Sequence, residues 1–402
     1  MKRIALVINT LQNGGAERVV SNLSMHLAAR YDIDILVNND SRLDYPYSGN
    51  LISLDIPEPR DRLSLRYLLK MLLRKTPALR RLKRERNYAA VISFNEVSNL
   101  ANVLSGYKNT KAIVSIHSSP EGMRKAGEKA LAIRKLNCRC YFPKAYKIVC
   151  CSKEIVHELM TEFRLPKERF SAIYNGIDLE EIRGKIHEPL PGADEDFFGS
   201  GPTVVSLGRL AREKGQWHLI RAVKHLRDEG LDVKLLILGE GPLRGALEDL
   251  VRKEHLDGIV KMPGFVKNPF RYMARADAAV FPSLFEGFSN AIPEAMACGI
   301  PCISTDHKSG AREILAPDTD YRNKNTGTVE EAPYGILVPV CDGVFREAGD
   351  PLTPEELLMA EAVKKVLTDT EVSSRYRLAS VKRAEELRIS SVCRQWSELI
   401  DA

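Results

Sequence analysis

Residues 281–299 read FPSLFEGFSNAIPEAMACG and lay out, in order, the end of a strand, a turn and a helix. Apolar residues run up to Phe281, Pro282 and Gly287 mark the turn, and a helix begins near Asn290 with Pro293 in its first turn and Gly299 as its stop. Glu286 falls in the turn and Glu294 just inside the helix, with seven residues between them. The first amides of such a helix, at Ser289, Asn290 and Ala291, face whatever lies above its start and favour a phosphate. A carboxylate on each side then suits sugar hydroxyls on one flank and ribose hydroxyls on the other. Taken alone, Glu294 would merely steady the helix dipole and Glu286 would be a solvated turn residue; the strand–turn–helix setting favours the ligand.

The same rhythm of short apolar runs and amphipathic stretches fills the rest of the chain. It predicts strands at 3–8, 32–37, 90–94, 111–116 and 147–151 with helices at 16–30, 62–86, 97–104 and 153–163 in the first half. In the second half it predicts strands at 203–208, 233–238, 259–262, 277–281, 301–304 and 336–338, with helices at 216–229, 242–254, 269–274, 290–298 and 354–368. Alternation of this kind defines an α/β protein with two doubly wound, Rossmann-like sheets, and 402 residues are enough for two such domains. The expected division is a first domain at 1–183, a Gly- and Pro-rich linker at 184–202 and a second domain at 203–389, followed by a helix at 390–402 carrying Trp396. The polar stretch 316–334 reads as a long loop. Open sheets bind ligands beyond the carboxyl ends of their strands, so two of them facing a cleft suit a phosphorylated nucleotide.

Composition excludes other classes. With 44% hydrophobic and 28% charged residues the chain is neither disordered nor fibrous, and no window reaches the apolar length of a membrane span. Lys2-Arg3 followed by five apolar residues imitates an export signal, but Asn9 and Thr10 end the run too early; a buried first strand fits better. The eight cysteines show no paired zinc spacing, and free thiols in a reducing cytoplasm are expected. The net charge of +6 conceals +12 over residues 1–180 and −6 over the remainder. Most of the excess lies in 60–88. There Leu65, Leu68, Leu69, Leu72 and Leu73 form a helical stripe beside Arg62, Arg66, Lys70 and Arg74, the pattern of a helix resting on anionic lipid. A surface helix packing its leucines on its own domain reads the same way. Nucleic acid is disfavoured because no stacking aromatics accompany the charge.

Further motifs follow other strands. SLGRLAREKG at 206–215 puts Arg209 and Lys214 on a loop leaving a strand end, where two cations can neutralise a departing diphosphate without a metal. LQNGGAER at 11–18 places Asn13, Gly14 and Gly15 between the first strand and helix, and glycine lets the backbone approach a phosphate or sugar closely. Gly239-Glu240-Gly241-Pro242 misses the dinucleotide fingerprint by one residue and reads as a turn shaping the nucleotide site. His117 ends the strand 111–116 at its ligand-facing edge; a lone histidine is commonly structural, and this position favours function. The acidic pairs Asp32/Asp34, Asp194/Asp196 and Asp318/Asp320 all lie away from the phosphate-like site, so no catalytic metal is expected.

Glu286-x7-Glu294 within FEGFSNAIPEAMACGIPCI, GRLAREKG at 208–215, NGID at 175–178 and NGGAER at 13–18 together resemble the family-four retaining glycosyltransferases of the GT-B fold. SGAREIL at 309–315 and YGILVPV at 334–340 look most like the bacterial polysaccharide and lipid-linked oligosaccharide enzymes that use UDP-galactose or UDP-N-acetylgalactosamine, although Ala311 stands where those often carry proline. The resemblance implies that Arg209 and Lys214 grip the donor diphosphate, Glu294 binds the ribose and Glu286 the transferred sugar. It implies that Ser289, Asn290 and Ala291 hold phosphate, Phe265 and Val266 the base, and that Gly15 approaches the donor. His117 would touch a hydroxyl of the reacting sugar, and the last helix would return to the first domain. The implied reaction is transfer of a hexose or N-acetylhexosamine from a UDP-sugar, with retention and no metal, to a glycan such as a polyprenyl-diphosphate saccharide at the cytoplasmic face of the membrane. The rivals are a non-hydrolysing UDP-sugar 2-epimerase, which shares the architecture, and a non-catalytic nucleotide-binding membrane module.

Overall fold

The computed structural model describes residues 1–12, 14–57, 65–119, 134–199, 201–324 and 327–402. The chain forms two compact units, one of residues 1–176 with 387–402 and the other of residues 177–386.

The first unit is built on seven parallel strands: β1 (Lys2–Val7), β2 (Tyr31–Val37), β3 (Asn50–Ser53), β4 (Ala90–Phe94), β5 (Lys111–Ile116), β6 (Lys147–Cys150) and β7 (Phe170–Ala172). Their order is β3-β2-β1-β4-β5-β6-β7. The direction of winding reverses between β1 and β4, which fixes where their carboxyl ends open. Among the described residues its α-helices are α1 (Gly15–Leu27), α2 (Leu65–Arg86), α3 (Glu96–Leu104) and α4 (Lys153–Phe163). The second unit repeats the plan with β8 (Thr203–Leu207), β9 (Lys234–Leu238), β10 (Val260–Gly264), β11 (Ala278–Phe281), β12 (Cys302–Thr305), β13 (Glu330–Ala332) and β14 (Gly335–Val338) in the order β10-β9-β8-β11-β12-β14-β13. Only β13 runs antiparallel, against β14 at the edge. Its helices are α5 (Leu179–Lys185), α6 (Gly192–Phe198), α7 (Gln216–Asp228), α8 (Arg244–Lys253), α9 (Phe270–Met273), α10 (Ala291–Ala297), α11 (Ala311–Leu315), α12 (Pro354–Thr368) and α13 (Thr370–Glu386). A last helix, α14 (Ile389–Asp401), belongs to the first unit.

The central strands are almost wholly buried, which is why they read as uninterrupted apolar runs. The expected linker 184–202 differs from what is observed: the last residue of the NGID motif caps α5, Asp178 Oδ1 accepting from the Glu181 amide at 3.0 Å, and this segment lies inside the second unit. Capping by Asp178 and anchoring by the side chains of 185–195 explain the difference. Asn268 donates to Glu188 at 2.8 Å, and Asp194 pairs with Lys261 at 2.5 Å and accepts from Tyr272 at 2.6 Å. Gly176 of the same motif is structural, since a Cβ there would meet the Ile389 Cα at 2.8 Å. The expected loop 316–334 contains the edge strand β13.

The basic helix α2 turns differently from the expected stripe. Its buried face is Met71, Lys75, Leu79, Leu82 and Lys83, whereas Leu69 and Leu73 are 55% and 66% exposed beside exposed Lys70 and Arg74. Two of the basic residues therefore point inward. Lys75 donates to Asn38 Oδ1 at 2.8 Å, Ser98 Oγ at 2.7 Å and Asn9 Oδ1 at 3.1 Å; Lys83 donates to the Asn102 carbonyl at 2.7 Å and its Oδ1 at 2.8 Å. Burial pushes each ammonium down to about 7. Arg62 and the side chain of Arg66 lie outside the described residues, as does Asn13.

Candidate functional site

In the second unit the winding reverses between β8 and β11, so the loops that follow these neighbouring strands share one carboxyl edge. Both loops are tightly fixed. After β8, Gly208 is tight against Lys214, whose side-chain carbons would stand 3.2 Å from a Cβ. A single 3₁₀ turn, Arg212–Lys214, leads to Gly215 at φ +62, where a Cβ would strike the Pro282 carbonyl oxygen at 2.4 Å. The Leu284 amide donates to the Glu213 carbonyl at 2.8 Å. The first loop therefore lies directly on the second, and residues distant in sequence meet.

The meeting produces an ion pair between Lys214 and Glu286, whose side chains are 19% and 13% exposed. Ser283 Oγ donates to the same carboxylate oxygen at 3.0 Å. Burial alone would raise the Glu286 carboxyl, but Lys214, by its charge and hydrogen bond, and Ser283 hold it below the ordinary value. Lys214 was expected as a cation for the diphosphate alone; the structure also makes it the partner of Glu286. Arg209 is more open and pairs with Glu213, while Gln216 Nε2 donates to its carbonyl at 3.0 Å.

Ser289 is buried at the start of α10, and its Oγ has no hydrogen-bond partner among the described residues. Asn290 precedes the helix, Ala291 opens it and Glu294 lies in its first turn, as the spacing predicts; Gly299 follows its end at φ +73. Gly239 at φ +139 accommodates the close backbone of the first loop, because a Cβ would meet the Gly208 oxygen at 2.1 Å. It is thus a turn glycine against the Arg209 loop. Phe265 and Val266 follow β10, Phe265 being 58% exposed.

A third loop joins these two. The turn after β12 is clamped by Arg312, which donates to Asp306 Oδ2 and Glu330 Oε2, each at 2.6 Å. Gly310 at φ +99 brings it against the second loop, where a Cβ would meet the Phe288 Cα at 3.2 Å and the Ser289 nitrogen at 3.4 Å. This turn carries His307, buried and electrostatically coupled to Glu286. Sequence reasoning passed over His307, although it stands just past a strand end, the rule that singled out His117.

Gly15 and His117 belong to the first unit. Gly15 opens α1 and is exposed. His117 follows β5, partly buried, with Nε2 2.8 Å from Ser115 Oγ and its ring stacked on Phe94 at 5.5 Å. Its Nδ1 has no partner among the described residues, and burial lowers the ring to about 4. The ring borders a small cavity that Asn22, Ser115, Asn175 and Trp396 also line. Among the described residues no three His, Cys, Asp or Glu side chains gather as a metal site, and no helix is long and apolar enough to cross a membrane.

Two doubly wound sheets, the second with a lysine–glutamate pair at its switch point, are the architecture of the GT-B fold. The chain belongs to the group 1/family 4 glycosyltransferases: residues 13–181 match the family described as Glycosyltransferase Family 4 and residues 201–339 that described as Glycosyl transferases group 1. It is 30% identical, over 96% of its length and 95% of the relative's, to a Campylobacter jejuni protein named N-acetylgalactosamine-N,N'-diacetylbacillosaminyl-diphospho-undecaprenol 4-alpha-N-acetylgalactosaminyltransferase. Among solved structures it resembles sucrose-phosphate synthase from Thermosynechococcus elongatus (TM-score 0.74, 20% identity, 99% and 98% of the two chains). It also resembles Anabaena HepE in complex with UDP and glucose (TM-score 0.73, 16% identity, all of both chains).

Proposed function

We propose that this glycosyltransferase moves a hexose or N-acetylhexosamine from a UDP-sugar to a hydroxyl of a polyprenyl-diphosphate-linked saccharide, with retention and without a metal ion. The observation that carries this reading is the ionised Glu286, fixed by Lys214 and Ser283 at the switch point of the second sheet. An acceptor-only carboxylate held in one place suits the hydroxyls of the transferred sugar, and the cation beside it suits the phosphate they hang from.

The step breaks the bond between the anomeric carbon and the β-phosphate oxygen and forms one between that carbon and the acceptor oxygen, on the same face of the sugar. The acceptor proton passes to the departing phosphate oxygen. Lys214 and Arg209 stabilise the negative charge that grows there, while Ser289, Asn290 and Ala291 hold phosphate at the start of α10 with Glu294 on the ribose. Phe265 and Val266 take the base beside the Gly239 turn. A neutral His117 suits contact with a sugar hydroxyl. The exposed Leu69 and Leu73, next to Lys70 and Arg74, support a contact of α2 with an anionic membrane at the cytoplasmic face, where a lipid-linked acceptor resides. The name of the Campylobacter jejuni relative fits such an acceptor.

The test supplies UDP-galactose or UDP-N-acetylgalactosamine and an undecaprenyl-diphosphate saccharide, with and without chelator, and reads UDP release and the anomeric configuration of the product by NMR. An α-linked product formed equally in chelator is expected. Inversion, dependence on metal, or an epimerised UDP-sugar formed without acceptor would overturn the reading.

A further inference from the structure

We propose that His307 is a specificity-determining residue of this donor site, its Nε2 accepting a hydrogen bond from a hydroxyl or acetamido N–H of the transferred sugar. The inference rests on the donor-site reading above.

The ring's tautomer follows from its surroundings. Nδ1 lies 3.0 Å from the Lys308 carbonyl oxygen. A carbonyl can only accept, so Nδ1 carries the proton and the neutral ring presents Nε2 as a lone pair. His307 is 1% exposed, and its buried Nε2 has no hydrogen-bond partner among the described residues. A buried acceptor without a donor is uncommon in a folded protein and costs stability. Burial also holds the ring below its ordinary pKa against the pull of Glu286, with Lys324 and Lys214 acting in the same direction as burial, so the lone pair persists near neutral pH.

The place is equally defined. Arg312, donating to Asp306 and Glu330, fixes the turn, and Gly310 lays it on Phe288 and Ser289 of the Glu286 loop. Of the charged groups coupled to the ring, Glu286 is an acceptor only and is already bonded to Lys214 and Ser283. Phosphate oxygens are acceptors as well and would oppose a lone pair. With the ribose hydroxyls assigned to Glu294 and the base to Phe265 and Val266 in the reading above, the donors left for Nε2 are those of the transferred sugar, its hydroxyls or an acetamido N–H. Glu286 and His307 would then receive two different donors of one ring, and their spacing would select which sugar epimer fits.

Calorimetric titration of UDP, UDP-galactose and UDP-N-acetylgalactosamine into the unsubstituted protein, His307→Ala and His307→Gln tests this. In His307→Ala the affinity for at least one UDP-sugar should fall on the order of tenfold, the loss of about one good hydrogen bond, while UDP itself binds within about twofold of the original. His307→Gln, whose amide oxygen can accept in place of Nε2, should recover most of that loss. UDP-sugar affinity unchanged in the alanine variant would overturn the proposal. So would an equal loss for UDP and UDP-sugar, or no recovery by glutamine, since either marks a structural role. If the unsubstituted protein bound none of the three, the donor-site reading would fall and this inference with it.

Discussion

A carboxylate as enclosed as Glu286 stays charged because Lys214, with Ser283, outweighs the cost of removing it from water. Glu286→Gln keeps the shape and removes the charge. Turnover should fall by about a hundredfold or more while the far-ultraviolet circular dichroism is unchanged, as measured by UDP release. The depressed acid also links to stability. Its contribution is complete above the unfolded value of about 4.5 and disappears as pH falls through the lower folded value. The melting-temperature gap between the original protein and Glu286→Gln should therefore close below pH 4.5. Lys75 follows the same sign in a higher pH window, because its folded value is also lowered. Folded, it releases its proton near 7, and unfolded only near 10.5, so unfolding takes up a proton between these values and stability rises with pH across that window. Lys75→Met should show a smaller rise, the remainder coming from Lys83, whose ammonium burial lowers in the same way; urea midpoints measured at about pH 7 and about pH 10 decide it. Neither environment was legible in the chain, because the groups that create each one come from remote segments. Lys214 and Glu286 are 72 positions apart, and the oxygens around Lys75 come from Asn9, Asn38 and Ser98.

At the scale of elements, α2 shows how far periodicity reaches. Its helical character is plain in the sequence, but lysines at 75 and 83 share the inward face with Met71, Leu79 and Leu82, which an apolar stripe cannot reveal. The leucines left outside, Leu69 and Leu73, lie beside Lys70 and Arg74. Replacing both leucines by Ser and both cations by Glu should weaken sedimentation with phosphatidylglycerol-containing vesicles on the order of tenfold or more, at about 1 kcal/mol for each lost basic group. Binding that ignores both the substitutions and the anionic lipid content would rule out the contact. The elements that escaped prediction are the atypical ones. β3 is an edge strand of the first sheet lacking a buried apolar run, and β13 is three residues, EEA, at an edge of the second sheet. Helix α13 buries Ser380 and Arg383 along with Val372, Tyr376 and Ala384, so its inner face is polar in part and its stripe is blurred. The strands that flank the switch points are buried on both faces and were readable to within a residue or two at most ends.

For the molecule as a whole, the division into two units was readable and the exact seams were not, because the Gly- and Pro-rich segment after 183 is fastened to the second unit by Asp194, Lys261 and Tyr272. The return of the last helix is what completes the first unit. Trp396, Ile389, Val392 and Ile400 enter a core with Ile4, Leu6, Val20 and Leu23, and Asp401 binds Lys2 at 2.8 Å and Arg30 at 2.6 Å. Trp396→Ala should destabilise that unit by about 3–5 kcal/mol, seen as an earlier transition in chemical denaturation that leaves the second unit's transition in place. The same arrangement bears on biosynthesis. As the polypeptide leaves the ribosome, its amino-terminal portion must wait, with a hydrophobic groove uncovered, until residues 177–386 have been made and the closing segment emerges. A nascent chain stalled before codon 387 should remain protease-sensitive in its leading half and become resistant only on release of the full product.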